Sequence, residues 1–404
     1  MLPGIDIEFQ NGNLGTVVPS ADKVLGLVAN AVAVGATFAL DTPYILKGMT
    51  SVATLGIIDS VDNHILYKTL KEFYDEAGEG TELWLMGIGR DVKMSEAFIP
   101  VGGVAPVHTL LNTANARIRG IITAFNPDNT YVSTIENGLD SDVLDTVVAA
   151  QLLAENYTTS KYAPFFVIIE GYNFNGVNTA LSDLLLREDN RVGVLLGDTE
   201  TRSGSTASKS CAIGVIGGRI ASNQVQVNIG RVKDGALIPS DIYIVDTKVE
   251  LFDIESLHDK GYITFRTLQG KSGYFFTDDP LATAISDDYH YLARRRVIDK
   301  AYRIAYTVSL NYLLDDVIAS NDGTISPFYA KEIEGHIERE IYNQMTVNGE
   351  LSSDQTNKDD KGCKVVVDLT NNYIATSTLK MILSIKPVGY NRWFDIQLGF
   401  STNG

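Results

Sequence analysis

From residue 24 to residue 221 short apolar runs alternate with longer segments whose apolar residues recur every three or four positions, and this alternation constrains the fold most tightly. The runs at 24–40, 83–88, 118–125, 165–169 and 192–196 read as strands buried on both faces, a situation that selects small and β-branched residues. Between them, residues 60–77 place Ile65, Leu66, Leu70, Phe73 and Tyr74 on one helical face, with Ser60 or Asp59 available to cap the start and Gly78 the end. Residues 107–115, 141–156 and 177–186 read as further helices, and a Gly- and Ser-rich run at 202–208 leads into another through Ile213, Ile216 and Ile220. Strands and helices at this spacing predict a mainly parallel sheet with helices on its faces. The expected class is α/β and α+β: a mixed sheet with flanking helices, then an α+β core, with extended strand arms at both ends.

The texture changes after residue 223. Short β segments are expected at 242–245, 249–254 and 261–268, followed by a long helix at 288–314 and a second, polar one at 327–344. Glu332, Glu334, Glu338, Arg339 and Glu340 give that second helix a solvated face or an interface rim. An acidic loop at 354–361 precedes strands at 364–369 and 377–385. Both chain ends then carry strand patterning. Ile5, Ile7 and Phe9 alternate with Asp6, Glu8 and Gln10, and Phe394, Ile396, Leu398 and Phe400 alternate with Asp395, Gln397 and Gly399. A lone strand leaves half its backbone groups unmet and an apolar stripe in water, so each needs a partner, in its own sheet or in another chain. Each sits on a tether: residues 11–22 and 386–392 hold Gly12, Gly15, Pro387 and Gly389 among Asn, Ser and Pro. A linker of about 12 residues reaches about 40 Å, enough to cross to a neighbour. The domains expected are an arm and linker at 1–22, an α/β domain at 23–227, an α+β core at 228–386 and a second linker and arm at 387–404.

The chain has 404 residues, enough for a large core, and 45% hydrophobic with 21% charged residues is a globular balance. Its net charge of −17 argues against general binding to nucleic acid, which needs clustered Lys and Arg. The same charge keeps identical copies soluble before assembly. Cys211 and Cys363, alone and far apart, make neither a disulfide framework nor a zinc site, which suits synthesis in a reducing cytoplasm. The uncharged run at 24–40 falls short of the roughly 20 residues that span a bilayer, and Asp6 and Glu8 stand where a secretory signal needs basic residues.

Chemistry is sparse. Gly270-Lys271-Ser272 resembles the end of a phosphate loop, but Phe265 stands where the first glycine belongs and the flanks read as β. Gly87-Ile88-Gly89 lacks the third glycine of a dinucleotide loop, and Gly217-Gly218 falls inside a helix, where close packing explains it. Asp278-Asp279, Asp287-Asp288, Asp315-Asp316 and Asp359-Asp360 could hold a cation, yet turns and caps account for the first two pairs. Asp198, just past a strand end, is the acid best placed for a ligand in an open sheet. His64, His108, His258, His290 and His336 lie scattered, and no nucleophile motif assembles. No catalytic residue, metal or cofactor is assigned.

A resemblance emerges downstream. The helix at 207–221, Asn228-Ile229-Gly230-Arg231-Val232-Lys233-Asp234-Gly235, Gly261-Tyr262-Ile263-Thr264-Phe265, Asp278-Asp279-Pro280-Leu281 and Asp288-Tyr289-His290-Tyr291 before Arg294-Arg295-Arg296-Val297 resemble the carboxy-terminal core of contractile tail sheath proteins. The match is best to a short sheath-like subgroup of phages and phage-like contractile injection systems and spans most of the chain. The Trp-Gly-Ala-Arg-Thr stretch and large surface insertions of longer sheaths are absent. The resemblance implies a structural protein without enzymatic activity, polymerising as stacked hexameric rings around an inner tail tube, with baseplate and terminator proteins as further partners. It implies residence in a virion tail or phage-like particle, with no direct nucleic-acid contact and no membrane insertion. Contraction would drive the tube through a cell envelope. Ile5, Ile7, Phe9, Phe394, Ile396, Leu398 and Phe400 would then be intersubunit strand residues, with Gly12, Gly15, Pro387 and Gly389 as hinges. The helix at 327–344 is a candidate tube-facing or lateral contact. A homo-oligomeric α/β enzyme with its site near Asp198, or another self-assembling tail component, is the alternative.

Overall fold

A computed structural model describes residues 21–100, 103–204, 206–317, 319–357 and 359–399. By internal contacts the chain divides into two compact units, Met1–Lys300 and Ala301–Gly404.

The first unit is built on a six-stranded sheet. Its strands are β1 (Leu25–Asn30), β2 (Pro43–Leu46), β3 (Leu83–Ile88), β4 (Gly120–Ala124), β5 (Phe166–Glu170) and β6 (Val192–Leu195). They lie in the order β2-β3-β1-β4-β5-β6. All neighbours run parallel except β2, which pairs antiparallel with β3 at the edge. Apart from β2 every residue of these strands is buried, as uncharged apolar runs require of strands covered on both faces. The sheet is therefore the mixed one expected. The strand β2 and the short helix α1 (Met49–Thr54) after it lie in a stretch whose periodicity is too brief to read.

Helices α2 (His64–Ala77), α3 (Pro106–Thr113), α4 (Ser141–Lys161) and α5 (Ile213–Ser222) flank the sheet. α2 and α5 pack together against one face, where a Cβ on Gly217 would meet Ile122 and Phe73. Glycines at Gly214 and Gly218 let the two helices approach closely: a Cβ there would come 2.2 Å from the Thr69 carbonyl oxygen and 2.5 Å from that of Phe73. Close packing is thus the role of Gly217-Gly218. On the other face Leu110 of α3 approaches Gly26, whose register partner is Ile121.

Residues after 228 continue this unit. Ile263 bridges Leu195 in parallel and Tyr243 bridges Asp198, so the later β segments extend the β6 edge. A small ribbon of β7 (Phe265–Thr267) and β8 (Tyr274–Phe276) follows, then α6 (Leu292–Ser309), within which the division between units falls.

Several elements differ from the sequence expectation. The helix expected at 177–186 is two 3-10 turns, Asn178–Ala180 and Leu184–Leu186. The Lys260 ammonium takes the carbonyls of Asn178 and Leu181, and the Lys260 carbonyl takes the Leu184 N–H, so groups a helix would pair internally are already engaged. The β segment expected at 249–254 begins as a 3-10 turn, Val249–Leu251. α2 starts at His64, not near residue 60, because Asn63 is held by Val32: its Oδ1 accepts from the Val32 N–H and its Nδ2 donates to the Val32 carbonyl, each at 2.9 Å.

In the second unit α7 (Pro327–Ile341) runs on into a π-helical turn, Tyr342–Thr346. Strands β9 (Cys363–Val367) and β10 (Met381–Ile385) form an antiparallel pair. Ile325, Ala330 and Val367 form a small core there, with Tyr329, Leu379 and Met381 against it.

Candidate functional site

An open parallel sheet most often binds ligands beyond the carboxyl ends of its strands where the strand order reverses. Here the reversal lies between β1 and β4, and the chain fills that crevice with its own side chains. Asn30 at the end of β1 donates to the carbonyls of Gly89 (2.7 Å) and Val92 (2.9 Å) and accepts from the Asn126 N–H (3.3 Å). Arg90 donates to the carbonyls of Asn126 (3.0 Å) and Pro127 (2.9 Å). Gly87 is a packing glycine, since a Cβ there would lie 2.5 Å from the Phe38 ring. Gly270-Lys271-Ser272 is the exposed turn joining β7 to β8.

Asp198 borders a cleft of about 430 Å³ between α2 and the loop after β6. Its carboxylate is ion-paired with Lys68 of α2 and also accepts the Thr199 N–H at 2.8 Å. One turn along α2, Glu72 accepts from the Thr199 hydroxyl at 2.5 Å. One turn back, His64 lies between Asp59 and Glu200. Burial alone would lower the Lys68 pKa, but the Asp198 and Glu72 carboxylates outweigh it and raise it. Burial lifts Glu72 above the usual carboxylate range. Nearby, burial holds the Cys211 thiol and the Glu170 carboxyl high, so the thiol stays protonated and is a poor nucleophile. The group staples α2 to the loop. Among the described residues no three His, Cys, Asp or Glu side chains are placed to hold a metal ion.

The residues carrying the family resemblance have structural partners. Asp279 accepts the Ala293 N–H at 2.9 Å at the start of α6 and also accepts from Asn228 at 2.7 Å. Asp287 caps the turn before α6 through the Tyr289 N–H at 2.7 Å, and the helix accordingly begins at Leu292. The Arg296 guanidinium donates to the carbonyls of Ile220 (3.2 Å) and Asn223 (3.1 Å) at the carboxyl end of α5, where a cation complements the helix dipole. Arg295 and Arg191 share the buried Asp299 at 2.8 and 3.0 Å, and Arg295 also stacks over Tyr289. This motif fastens α6 to α5 and to β6.

The open feature is an edge. On α7 two glutamates expected at a solvated face turn inward: Glu334 Oε1 accepts the Val367 N–H (2.9 Å) and Glu338 Oε1 that of Val365 (3.0 Å). They occupy the side of β9 that faces away from β10. The Asp368 N–H bonds the Lys380 carbonyl and the Lys386 N–H that of Gly362, each at 2.8 Å, so even-numbered residues of β10 turn toward β9. Met381, Leu383 and Ile385 turn their backbone outward, and among the described residues no further strand joins this pair. Val366 and Ile382, a cross-strand pair, are 45% and 70% exposed.

Beyond β10 the chain runs without regular structure to residue 399. Pro387 bridges Leu351, while Gly389 has open space around it. Phe394, Ile396 and Leu398 are 77%, 77% and 96% exposed, and so is Trp393 at 92%, which sequence patterning left out because it falls on the other face of the alternation. Ile5, Ile7, Phe9, Gly12, Gly15 and Phe400 lie outside the described residues. The glutamate pair on α7 was missed too; its four-residue spacing beside a β-branched strand is the signal that points to it.

Over its whole length the chain has the fold of contractile sheath proteins. It covers 100% of itself and 98% of a chain of an extracellular contractile injection system, the PVC sheath complex in its contracted state, with TM-score 0.57 and 13% identity. A chain of the anti-feeding prophage baseplate gives 0.60 at 15% identity, covering 100% and 99%. The sheath tail protein of Desulfitobacterium hafniense gives 0.51 at 8% identity, covering 95% and 100%. Family models match residues 2–280 as the DUF2586 N-terminal domain and 288–404 as the DUF2586 C-terminal domain, and the chain belongs to this family. No curated protein matches it.

Proposed function

We propose that this chain is the subunit of a contractile sheath, assembling as stacked six-membered rings around an inner tube and shortening to drive the tube through a cell envelope. Its partners are further copies of itself, the tube, and the baseplate and terminator proteins at the two ends. Its setting is a virion tail or phage-like particle assembled in the bacterial cytoplasm. Among the described residues no helix is long and apolar enough to cross a membrane.

The observation that carries this reading is the juxtaposition of an exposed apolar tail with a free strand edge. Residues 393–399 keep strand alternation and, among the described residues, join no strand, and β10 offers outward-facing backbone at Met381, Leu383 and Ile385. Strand addition of the tail of one copy to β10 of another satisfies both, through main-chain hydrogen bonds. Gly389 supplies the joint, with Pro387 anchoring the tail's root. Ile5, Ile7 and Phe9 form the corresponding amino-terminal arm, with Gly12 and Gly15 as its joints. An arm held by backbone bonds on a flexible root lets rigid bodies move between two arrangements without separating. The division proposed is an arm and linker at 1–22, an α/β domain at 23–227, an α+β core at 228–386 and a linker and arm at 387–404, the arms being the parts that exchange.

The sheath reading is favoured over the enzyme one by the engagement of Asp198 with Lys68 and Thr199 and by the Asn30 and Arg90 side chains in the crevice. Negative-stain microscopy of the full chain and of residues 1–391 tests the proposal. Striated tubes from the full chain and dispersed, folded subunits from the truncation are expected; tubes from both would remove the carboxy-terminal arm from the account.

A further inference from the structure

The cleft beside Asp198 holds an arrangement that assembly does not explain. His64 opens α2, and both its ring nitrogens face carboxylates: Nδ1 lies 2.6 Å from Asp59 Oδ1 and Nε2 2.9 Å from Glu200 Oε2. A neutral imidazole has one N–H and can donate to only one of them, whereas the imidazolium donates to both. Asp59 lies in the turn before α2 and Glu200 in the loop after β6, so the doubly bonded ring joins two elements far apart in sequence.

We propose that His64 is a proton-operated clasp: as imidazolium it holds Glu200 and the adjoining Thr201 against the start of α2, and on losing its proton it releases them.

The surroundings favour release. From α2 the cleft receives Tyr67, Lys68, Lys71, Glu72 and Asp75; from the loop after β6, Glu200, with Asp198 at its root; from residues 238–243, Asp241 and Tyr243. Lys68 is committed to Asp198 and Glu72, and Lys71 to Asp75 at 2.5 Å, so neither cation is placed between Asp59 and Glu200. Once the imidazolium charge is gone, those two carboxylates face an acid-rich cleft with one donor between them. Asp198 stays fastened, with its backbone pairing to Tyr243 at 2.7 and 2.9 Å, and the Thr199 hydroxyl stays on Glu72, so the loop opens from Glu200 outward and not as a whole.

The direction with pH follows. Partial burial lowers the His64 pKa, but the hydrogen bonds that the ring donates to the Asp59 and Glu200 carboxylates, with their charges, outweigh it and leave it raised. The clasp is closed below the ordinary imidazole value of about 6.5 and is lost as pH rises through the raised one. This holds whether or not the chain is a sheath subunit.

Trypsin reads the loop directly, because Arg202 follows it with its guanidinium donating to the Phe174 carbonyl at 2.7 Å. The measurement is the initial rate of cleavage after Arg202 in the full chain, divided by that after the exposed Lys331, by mass spectrometry from about pH 6 to about pH 9. In the wild type the ratio is expected to rise about fivefold or more across that range, since proteolysis follows the open population. His64→Gln should sit at the high value throughout, and His64→Lys, cationic over the whole range, at the low one. Circular dichroism checks that each variant is folded. A flat ratio in the wild type, or the same rise in His64→Gln and wild type, overturns the proposal.

Discussion

At the scale of single residues, this chain spends its buried charges on fastening. Asp279 holds the start of α6, Arg296 closes the end of α5, and Asp299 lies between Arg191 and Arg295. None of these is open to a ligand. Glu170 differs in kind: it is fully buried at the end of β5, accepts the Phe125 N–H at 3.1 Å on one oxygen, and burial holds its pKa well above the usual value. The folded protein therefore keeps a proton that the unfolded chain releases, and stability falls as pH rises from about 4.5. Glu170→Gln retains the acceptor and has no proton to lose. Its urea midpoint should exceed that of the wild type at about pH 8 and converge with it toward about pH 4; a lower midpoint at pH 8 would mean that Glu170 is ionised and paired in the fold.

At the scale of elements, the contact between α2 and α5 depends on missing side chains. Alanine at a helical glycine gains about 1 kcal/mol of intrinsic propensity, whereas overfilling a tight contact costs about 1–3 kcal/mol. At Gly214 and Gly218 a Cβ would run into backbone oxygens of α2, which cannot move without bending the helix, so the second effect wins. Gly218→Ala should lower the melting temperature by about 2–4 °C and Gly214→Ala by at least as much; an unchanged or higher value would show that the helices can separate at no cost. The sheet strands other than β2 and the close packing at Gly217-Gly218 were legible in sequence, because burial on both faces leaves an apolar run and a Gly pair inside an apolar helix has few other uses; Gly214 was not singled out. Residues 177–186 were not legible. Their apolar spacing suits a helix, but Lys260, some 80 positions later, claims the carbonyls. Glu334 and Glu338 misled in the opposite way. They read as solvent-facing charges because their partners are the backbone N–H groups of Val365 and Val367, which no side-chain pattern reveals.

At the scale of the whole molecule, the chain is complete in its sheet and unfinished at its end. The first unit buries its own strands and fills its own crevice, while Trp393, Phe394, Ile396 and Leu398 stand in water. Burying each of the last three is worth roughly 1.5–3 kcal/mol, a gain that the proposed strand addition would realise on another copy. The alternation of the tail was legible from its period of two; the edge proposed to receive it was not, because it is defined by what α7 covers on β9 and leaves open on β10. The register of that pairing is most directly tested with cysteines at exposed positions. Ser384→Cys in one preparation and Gln397→Cys in another are mixed under mild oxidation, with the wild type as control for Cys211 and Cys363. The account predicts a disulfide-linked dimer from the mixture, formed between β10 of one copy and the tail of another; Asp395→Cys serves as a second tail position if the register is shifted by two. Failure of both tail positions to link to Ser384→Cys while tubes still form, or a link that forms only within one chain when both cysteines are combined, would contradict it.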